Sequence, residues 1–210
     1  MLIDTIHTLD TGALDAGAVK FDFETGFPFV SGIQAPIYID TRKLFFDPII
    51  RERTISALEA HIEKLKLEFD VVAGVESGAI APAALLASVL KKRFVYIKKK
   101  PKDHGLKRMI ECGDVAGSKV LLVEDLVSTG LSSLNAVQVV REAGGTISDC
   151  VSIHLYDFPE TSDNFSKVSI SLHPLALVSD IGREAVKRDI ISNDQGERII
   201  AWLQKPHEHW

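Results

Sequence analysis

The chain has 210 residues, 46% of them hydrophobic and 25% charged, which is enough for one domain with a substantial core. A net charge of −5 argues against a general nucleic-acid binder, which carries a basic face, but leaves room for a local basic loop. The two cysteines are spaced neither as a metal site nor as a disulfide framework, no apolar run reaches membrane-spanning length, and the first residues lack a secretion signal, so a cytoplasmic protein with no membrane partner is expected.

The periodicity predicts alternating helices and strands. Met1 to Ala16 reads as a short helix, Val19 to Phe23 as a strand and Pro36 to Asp40 as another. Asp47 to Leu67 reads as a long amphipathic helix, with Ile50, Ile55, Leu58, Ile62 and Leu65 near helical spacing and Asp47-Pro48 as its start. Asp70 to Val75 is a short apolar strand, Pro82 to Leu90 a helix and Arg93 to Ile97 a strand. Lys98 to Lys119 is polar, basic and dotted with glycine. Val120 to Val123 is a strand, Leu131 to Ala143 a helix stopped at Gly144-Gly145, and Cys150 to Tyr156 and Lys167 to Leu172 are strands. Continuous apolar strands alternating with helices imply an α/β chain with a central parallel sheet flanked by helices, whose ligands sit beyond the C-terminal ends of the strands.

One such end carries the most informative chemistry, in the stretch VLLVEDLVSTGLSS (Val120 to Ser133). Glu124 and Asp125 accept hydrogen bonds from sugar hydroxyls or stand beside a hydrated Mg²⁺. Ser128, Thr129, Ser132 and Ser133 bring hydroxyls, Gly130 allows a tight turn, and the helix starting at Leu131 offers free N–H groups suited to a phosphate. A plain strand–turn–helix junction with a Ser/Thr cap is the simpler alternative, but it has no need of paired acids. A nucleotide-triphosphate loop is excluded because Gly-Lys-Ser/Thr is missing, and a dinucleotide fingerprint because GxGxxG is missing.

This stretch resembles the phosphoribosyl-pyrophosphate (PRPP) motif of type I phosphoribosyltransferases. The resemblance implies that Glu124 and Asp125 contact the ribose hydroxyls and stand near Mg²⁺, held mostly through PRPP and water. It also implies that Ser128, Thr129, Gly130, Leu131 and Ser132 hold the 5′-phosphate. KKKPKDHG (Lys98 to Gly105) is similar to the catalytic loop of orotate phosphoribosyltransferases. By that likeness Lys98 and Lys99 match the basic pair, Lys102 the loop lysine, His104 the loop histidine and Asp103 the acid between them. The Lys98–Arg108 loop is then expected to act at a neighbouring subunit's site, which implies a homodimer. Read alone, the same segment is a solvated basic loop.

Two further segments add to the likeness. Glu76, Ser77 and Gly78 stand where the family has its pyrophosphate loop, and VSGIQAPIYIDTRKL (Val30 to Leu44) resembles the N-terminal element of the orotate branch through Ser31, Gly32, Pro36, Tyr38, Asp40 and Arg42. Gln34 replaces a substrate-side lysine found in many members, and Phe158 stands where some carry an arginine reaching orotate. Phe27 and Phe29 are candidates for an apolar wall against the base, with ordinary core packing as the simpler reading. The resemblance implies a type I phosphoribosyltransferase fold over residues 1–210, with a core over about 46–172 and a small hood from residues 1–45 and part of the C-terminal segment. It implies Mg²⁺-dependent transfer of ribose 5-phosphate from PRPP to orotate in pyrimidine synthesis. A purine or xanthine phosphoribosyltransferase and a non-catalytic PRPP-sensing regulator are the alternatives.

Overall fold

Val71–Val75 is apolar at every position, and a strand of that kind is stable only with both faces covered. In the computed structural model, which describes residues 12–29, 32–99, 109–208 and 210, it lies inside a six-stranded sheet with helices on both sides.

Four short strands come first: β1 (Val19–Phe21), β2 (Phe27–Pro28), β3 (Gln34–Ala35) and β4 (Ile37–Ile39). They form two antiparallel pairs, β1 on β4 and β2 on β3. A 3₁₀ turn over Thr41–Phe45 leads to helix α1 (Pro48–Leu65), then β5 (Val71–Val75), α2 (Ile80–Val89), β6 (Arg93–Ile97), β7 (Ile110–Glu111) and β8 (Lys119–Val127). The chain continues as α3 (Leu131–Glu142), β9 (Thr146–Leu155), α4 (Pro159–Lys167), β10 (Ser171–Leu177), α5 (Val178–Lys187) and α6 (Asn193–Gln204). The sheet order is β10-β9-β8-β5-β6-β7, parallel throughout except for β7, which runs antiparallel to β6.

Each face of the sheet has its own core. On one, Ile55, Leu58 and Ile62 of α1, Leu86 of α2, Ile181 of α5 and Ile199 of α6 pack with Val72, Leu121, Val123 and Val151. On the other, Ala136, Val137 and Val140 of α3 and Phe165 of α4 pack with Ala73, Leu122 and Cys150. The hood joins both ends of the chain. Arg198 of α6 donates to the Phe23 carbonyl at 3.3 Å with its guanidinium over the Phe23 ring, and Trp202 meets Phe29 edge to face.

Local chemistry sets several boundaries. The Asp47 carboxylate accepts from the N–H groups of Ile49 (2.8 Å) and Ile50 (3.0 Å), and Pro48 occupies the first helical position, so α1 starts where the sequence predicts. Gly144 takes φ +79° just past α3, the left-handed stop that its position implies. The first predicted strand ends at Phe21 rather than Phe23, because the Asp22 carboxylate accepts from Glu24 N, Thr25 N and the Thr25 hydroxyl and turns the chain. Of the helix predicted over Met1 to Ala16, only residues from 12 onward are described, and 12–15 are helical.

Two strands differ more. β8 does not stop at the acids but runs on to Val127, because β9 continues beside it in register, Glu124 opposite Ser152 and Val127 opposite Leu155. The strand predicted over Lys167 to Leu172 is shifted to Ser171–Leu177, since Pro159 starts a helix that occupies the chain through Lys167.

The Asp47 cap gives a direct test. Asp47→Ala is expected to lower stability by about 1 kcal/mol, read as a lower urea midpoint with an unchanged slope, and Asp47→Asn is expected to recover most of the loss.

Candidate active site

The site is built where β5 and β8 end beneath the hood. Here a cavity of about 630 Å³ is lined from the sheet by Glu76, Ser77, Gly78, Lys99, Glu124 and Asp125, and from the loop into α3 by Ser128 through Ser133. Phe29, Tyr38, Asp40, Thr41, Arg42 and Tyr156 close the hood side.

The strand that carries the acids also desolvates them. Glu124 is 5% exposed, and its Oε1 accepts from the Ser133 hydroxyl at 2.7 Å. Burial first and the adjacent Asp125 second push the Glu124 carboxyl up to about 8, against the pull of Ser133 and Lys99. Burial also raises Asp125, although the N–H groups of Asp125 and Leu126 and the charges of Lys99 and Arg42 draw it back. Gly78 packs directly on Asp125, so that a Cβ added at Gly78 would overlap the carboxylate. Next to it, the Glu76–Ser77 peptide is cis, and the Glu76 carboxylate accepts from Lys99 N at 2.9 Å.

The loop after β8 is turned by α4. Thr161 donates its hydroxyl proton to the Ser128 carbonyl at 2.5 Å, and Asn164 donates to the Thr129 carbonyl at 3.3 Å. Carbonyl and N–H point opposite ways across a trans peptide, so the N–H groups of Thr129 and Gly130 face away from α4. Gly130 has φ +82°, and a Cβ there would meet the Phe165 ring at 2.5 Å, so both conformation and space demand glycine. The first-turn N–H groups of α3 have no partner within the helix, which makes this corner a ready anion cradle.

The hood side is tied down with equal care. Arg42 Nε donates to Asp40 Oδ1 at 2.6 Å. Thr41 shares a 3.2 Å hydrogen bond with Nδ1 of His154, which is fully buried in β9. Tyr156 donates to the Ile37 carbonyl at 3.1 Å and meets the edge of Phe29 at 5.1 Å between centroids, forming an aromatic wall.

Most of the sequence-selected residues therefore share one cavity: Phe29, Glu76, Ser77, Gly78, Lys99, Glu124, Asp125, Ser128, Thr129, Gly130, Leu131 and Ser132. Two do not. The Lys98 ammonium, 6% exposed, is bound to Glu111 Oε1 at 2.8 Å, and Lys98 N donates to the Met109 carbonyl, so Lys98 fastens β6 to β7 and does not line this cavity. Gln34 donates its amide to the Thr25 carbonyl at 2.6 Å within the hood hairpin, again outside the cavity wall. Lys102, Asp103 and His104 lie outside the described residues. Thr161, Asn164 and His154 support the site without a sequence signal of their own, whereas Ser133 was among the loop hydroxyls and is found on Glu124. Arg42, Asp40 and Tyr38 had one in the YIDTR stretch.

Among the described residues no three His, Cys, Asp or Glu side chains gather as a metal site. The hard oxygens of Asp125 and Glu124 suit Mg²⁺ only if it arrives with most of its ligands already in place.

Comparison with known proteins accords with this geometry. The phosphoribosyl transferase domain family matches residues 47–167. The orotate phosphoribosyltransferase of Coxiella burnetii is 36% identical over 197 residues, covering 94% of each chain. This chain belongs to the orotate phosphoribosyltransferases. The solved orotate phosphoribosyltransferase of Aeropyrum pernix has the same fold, with a TM-score of 0.75 and 24% identity over 84% of this chain and 97% of that one. A UMP synthase of Leishmania donovani also shares it (TM-score 0.79, 24% identity, 95% of this chain), and the present phosphoribosyltransferase spans 42% of that longer chain.

The buried histidine yields a pH prediction. Burial holds His154 down at about 4, against 6.5 when exposed. Between those values the unfolded chain binds a proton that the folded chain excludes, so this contribution is present above pH 6.5 and is lost as pH falls towards 4. Urea midpoints measured from pH 7.5 to 4.5 are expected to fall less steeply in His154→Gln than in the wild type.

Proposed function

We propose that this cavity transfers ribose 5-phosphate from PRPP to orotate, giving orotidine 5′-monophosphate and pyrophosphate. The observation that carries the reading is the adjacent pair of buried Glu124 and half-buried Asp125 on the cavity floor, flanked by an anion cradle on one side and an aromatic hood on the other.

Each part has a task that follows from its chemistry. The N–H groups of the 128–132 loop and the start of α3 bind the 5′-phosphate. Glu124 and Asp125 accept from the ribose hydroxyls, fixing C1 of the sugar. Glu76, Ser77, Gly78 and Lys99 face the departing pyrophosphate from the ends of β5 and β6, with Lys99 offsetting its charge. Phe29 and Tyr156 give the planar base an apolar surface, so that its N1 meets C1 in line as the C1–O bond to pyrophosphate breaks. Positioning and charge stabilisation carry the rate, and no covalent nucleophile is needed. Asp125 and Glu124 would hold a Mg²⁺ that arrives with the diphosphate, and the ion would supply neutralisation of the leaving group's charge. Lys102 and His104 are expected to complete the cationic environment, delivered across a homodimer by the Lys98–Arg108 segment. No described helix is long and apolar enough to cross a membrane, and we place the reaction in the cytoplasm.

The test is an assay with PRPP and Mg²⁺, following loss of orotate absorbance, with hypoxanthine, guanine, xanthine and uracil in parallel. Turnover of orotate alone is the expected result. Preference for a purine would overturn the substrate, and PRPP binding without turnover of any base would replace the enzyme with a sensor. Gly78→Ala, which forces the Asp125 carboxylate aside, is expected to lower kcat/KM for PRPP on the order of 10²-fold with little change in the unfolding midpoint.

A further inference from the structure

We propose that Arg42 is the specificity residue that recognises the carboxylate of the pyrimidine, an inference that rests on reading the cavity as an orotate site. Orotate differs from uracil by one carboxylate, and a site that distinguishes them must offset that charge with a directed donor. The described residues lining the cavity include two cationic side chains, Lys99 and Arg42. Lys99 belongs to the sheet side, where its N–H is bound to Glu76 beside the Ser77–Gly78 loop. Arg42 belongs to the hood side, with Phe29, Tyr38 and Tyr156, where a flat ring would be sandwiched.

The arginine is held as a recognition fork requires. Its Nε is occupied by Asp40 at 2.6 Å, while no described residue accepts from its two terminal nitrogens, and 62% of the side chain is accessible. Those two nitrogens are the paired donors that meet a carboxylate bidentately. The backbone beneath is anchored on both sides: Asp40 N donates to the Ala18 carbonyl at 2.8 Å, and buried Thr41 is tied to His154. The guanidinium thus approaches a ligand with one donor already spent on orientation and the others unspent.

Behind the wall Phe158 is 1% exposed and stacks on Tyr156 at 5.5 Å, packed against Trp202. It contributes an apolar backing to the wall and no charge.

The experiment compares two ligands identical except for the carboxylate. Orotidine 5′-monophosphate and uridine 5′-monophosphate are titrated calorimetrically into the full chain and into Arg42→Gln and Arg42→Lys. Orotate and PRPP kinetics are measured on the same preparations. In Arg42→Gln, affinity for orotidine 5′-monophosphate is expected to fall roughly 30- to 100-fold, as for loss of a charged hydrogen-bonded pair. Affinity for uridine 5′-monophosphate and the KM for PRPP are expected to stay within about threefold, since neither uses the fork. Arg42→Lys, which keeps the charge without the fork, is expected to recover only part.

An unchanged preference between the two nucleotides in Arg42→Gln would overturn the inference, as would equal weakening of both or a PRPP KM that rises in step with that of orotate. A wild-type chain that turns over PRPP with another base but not orotate would overturn the reading of the site itself, and this inference with it. Wild-type discrimination between the nucleotides separates the two failures.

Discussion

Two carboxylates side by side at the buried end of a strand oppose both hydration and each other, and the architecture around them is a response to that conflict. β9 keeps β8 in register past the acids, so their backbone is fixed before any ligand arrives. Ser133 from α3 donates to one carboxylate, backbone N–H groups serve the other, and Lys99 and Arg42 approach from the sheet and the hood. Burial and the neighbouring acid nevertheless push the Glu124 carboxyl up to about 8. A site held in this state is incomplete electrostatically, and hydrogen-bond donors or positive charge brought to it offset what the fold alone does not.

The supporting shell shows how the preference for one geometry is enforced. Gly78 leaves no space between the β5 loop and Asp125, and Gly130 leaves none between the α3 loop and Phe165. Thr161 and Asn164 hold two carbonyls of the loop into α3, and His154 holds the hood turn to the sheet through Thr41. Each of these contacts removes one freedom from a group that lines the cavity.

The features legible in the sequence were those decided within a few residues. The continuous apolar run Val71–Val75, the Asp47-Pro48 helix start, the glycine stop after α3 and the paired acids each carry a local signature, and each is found where that signature lies. Boundaries set by distant partners were not legible. The end of β8 depends on β9, and the start of β10 depends on where α4 releases the chain. Lys98 illustrates the same limit at the level of side chains, since its motif position is intact but Glu111 takes up its ammonium, while Gln34, a departure from the motif, is held by the Thr25 carbonyl. α6, by contrast, carried a readable signal that the strand-and-helix pattern passed over: Ser192 and Gln195 cap its first turn reciprocally.

The aromatic hood has a spectroscopic consequence. The chain has two tryptophans, Trp202 and Trp210, and both belong to the C-terminal part of this hood. Trp202 touches Phe29, Tyr156 and Phe158 edge to face, and Trp210 approaches the Phe23 carbonyl at 3.5 Å. The sheet and its acids are dark in tryptophan emission. Tryptophan fluorescence in this chain therefore reports the packing behind the cavity's aromatic wall, so a change in its colour on adding a ligand is a statement about the hood and its backing rather than about the protein as a whole.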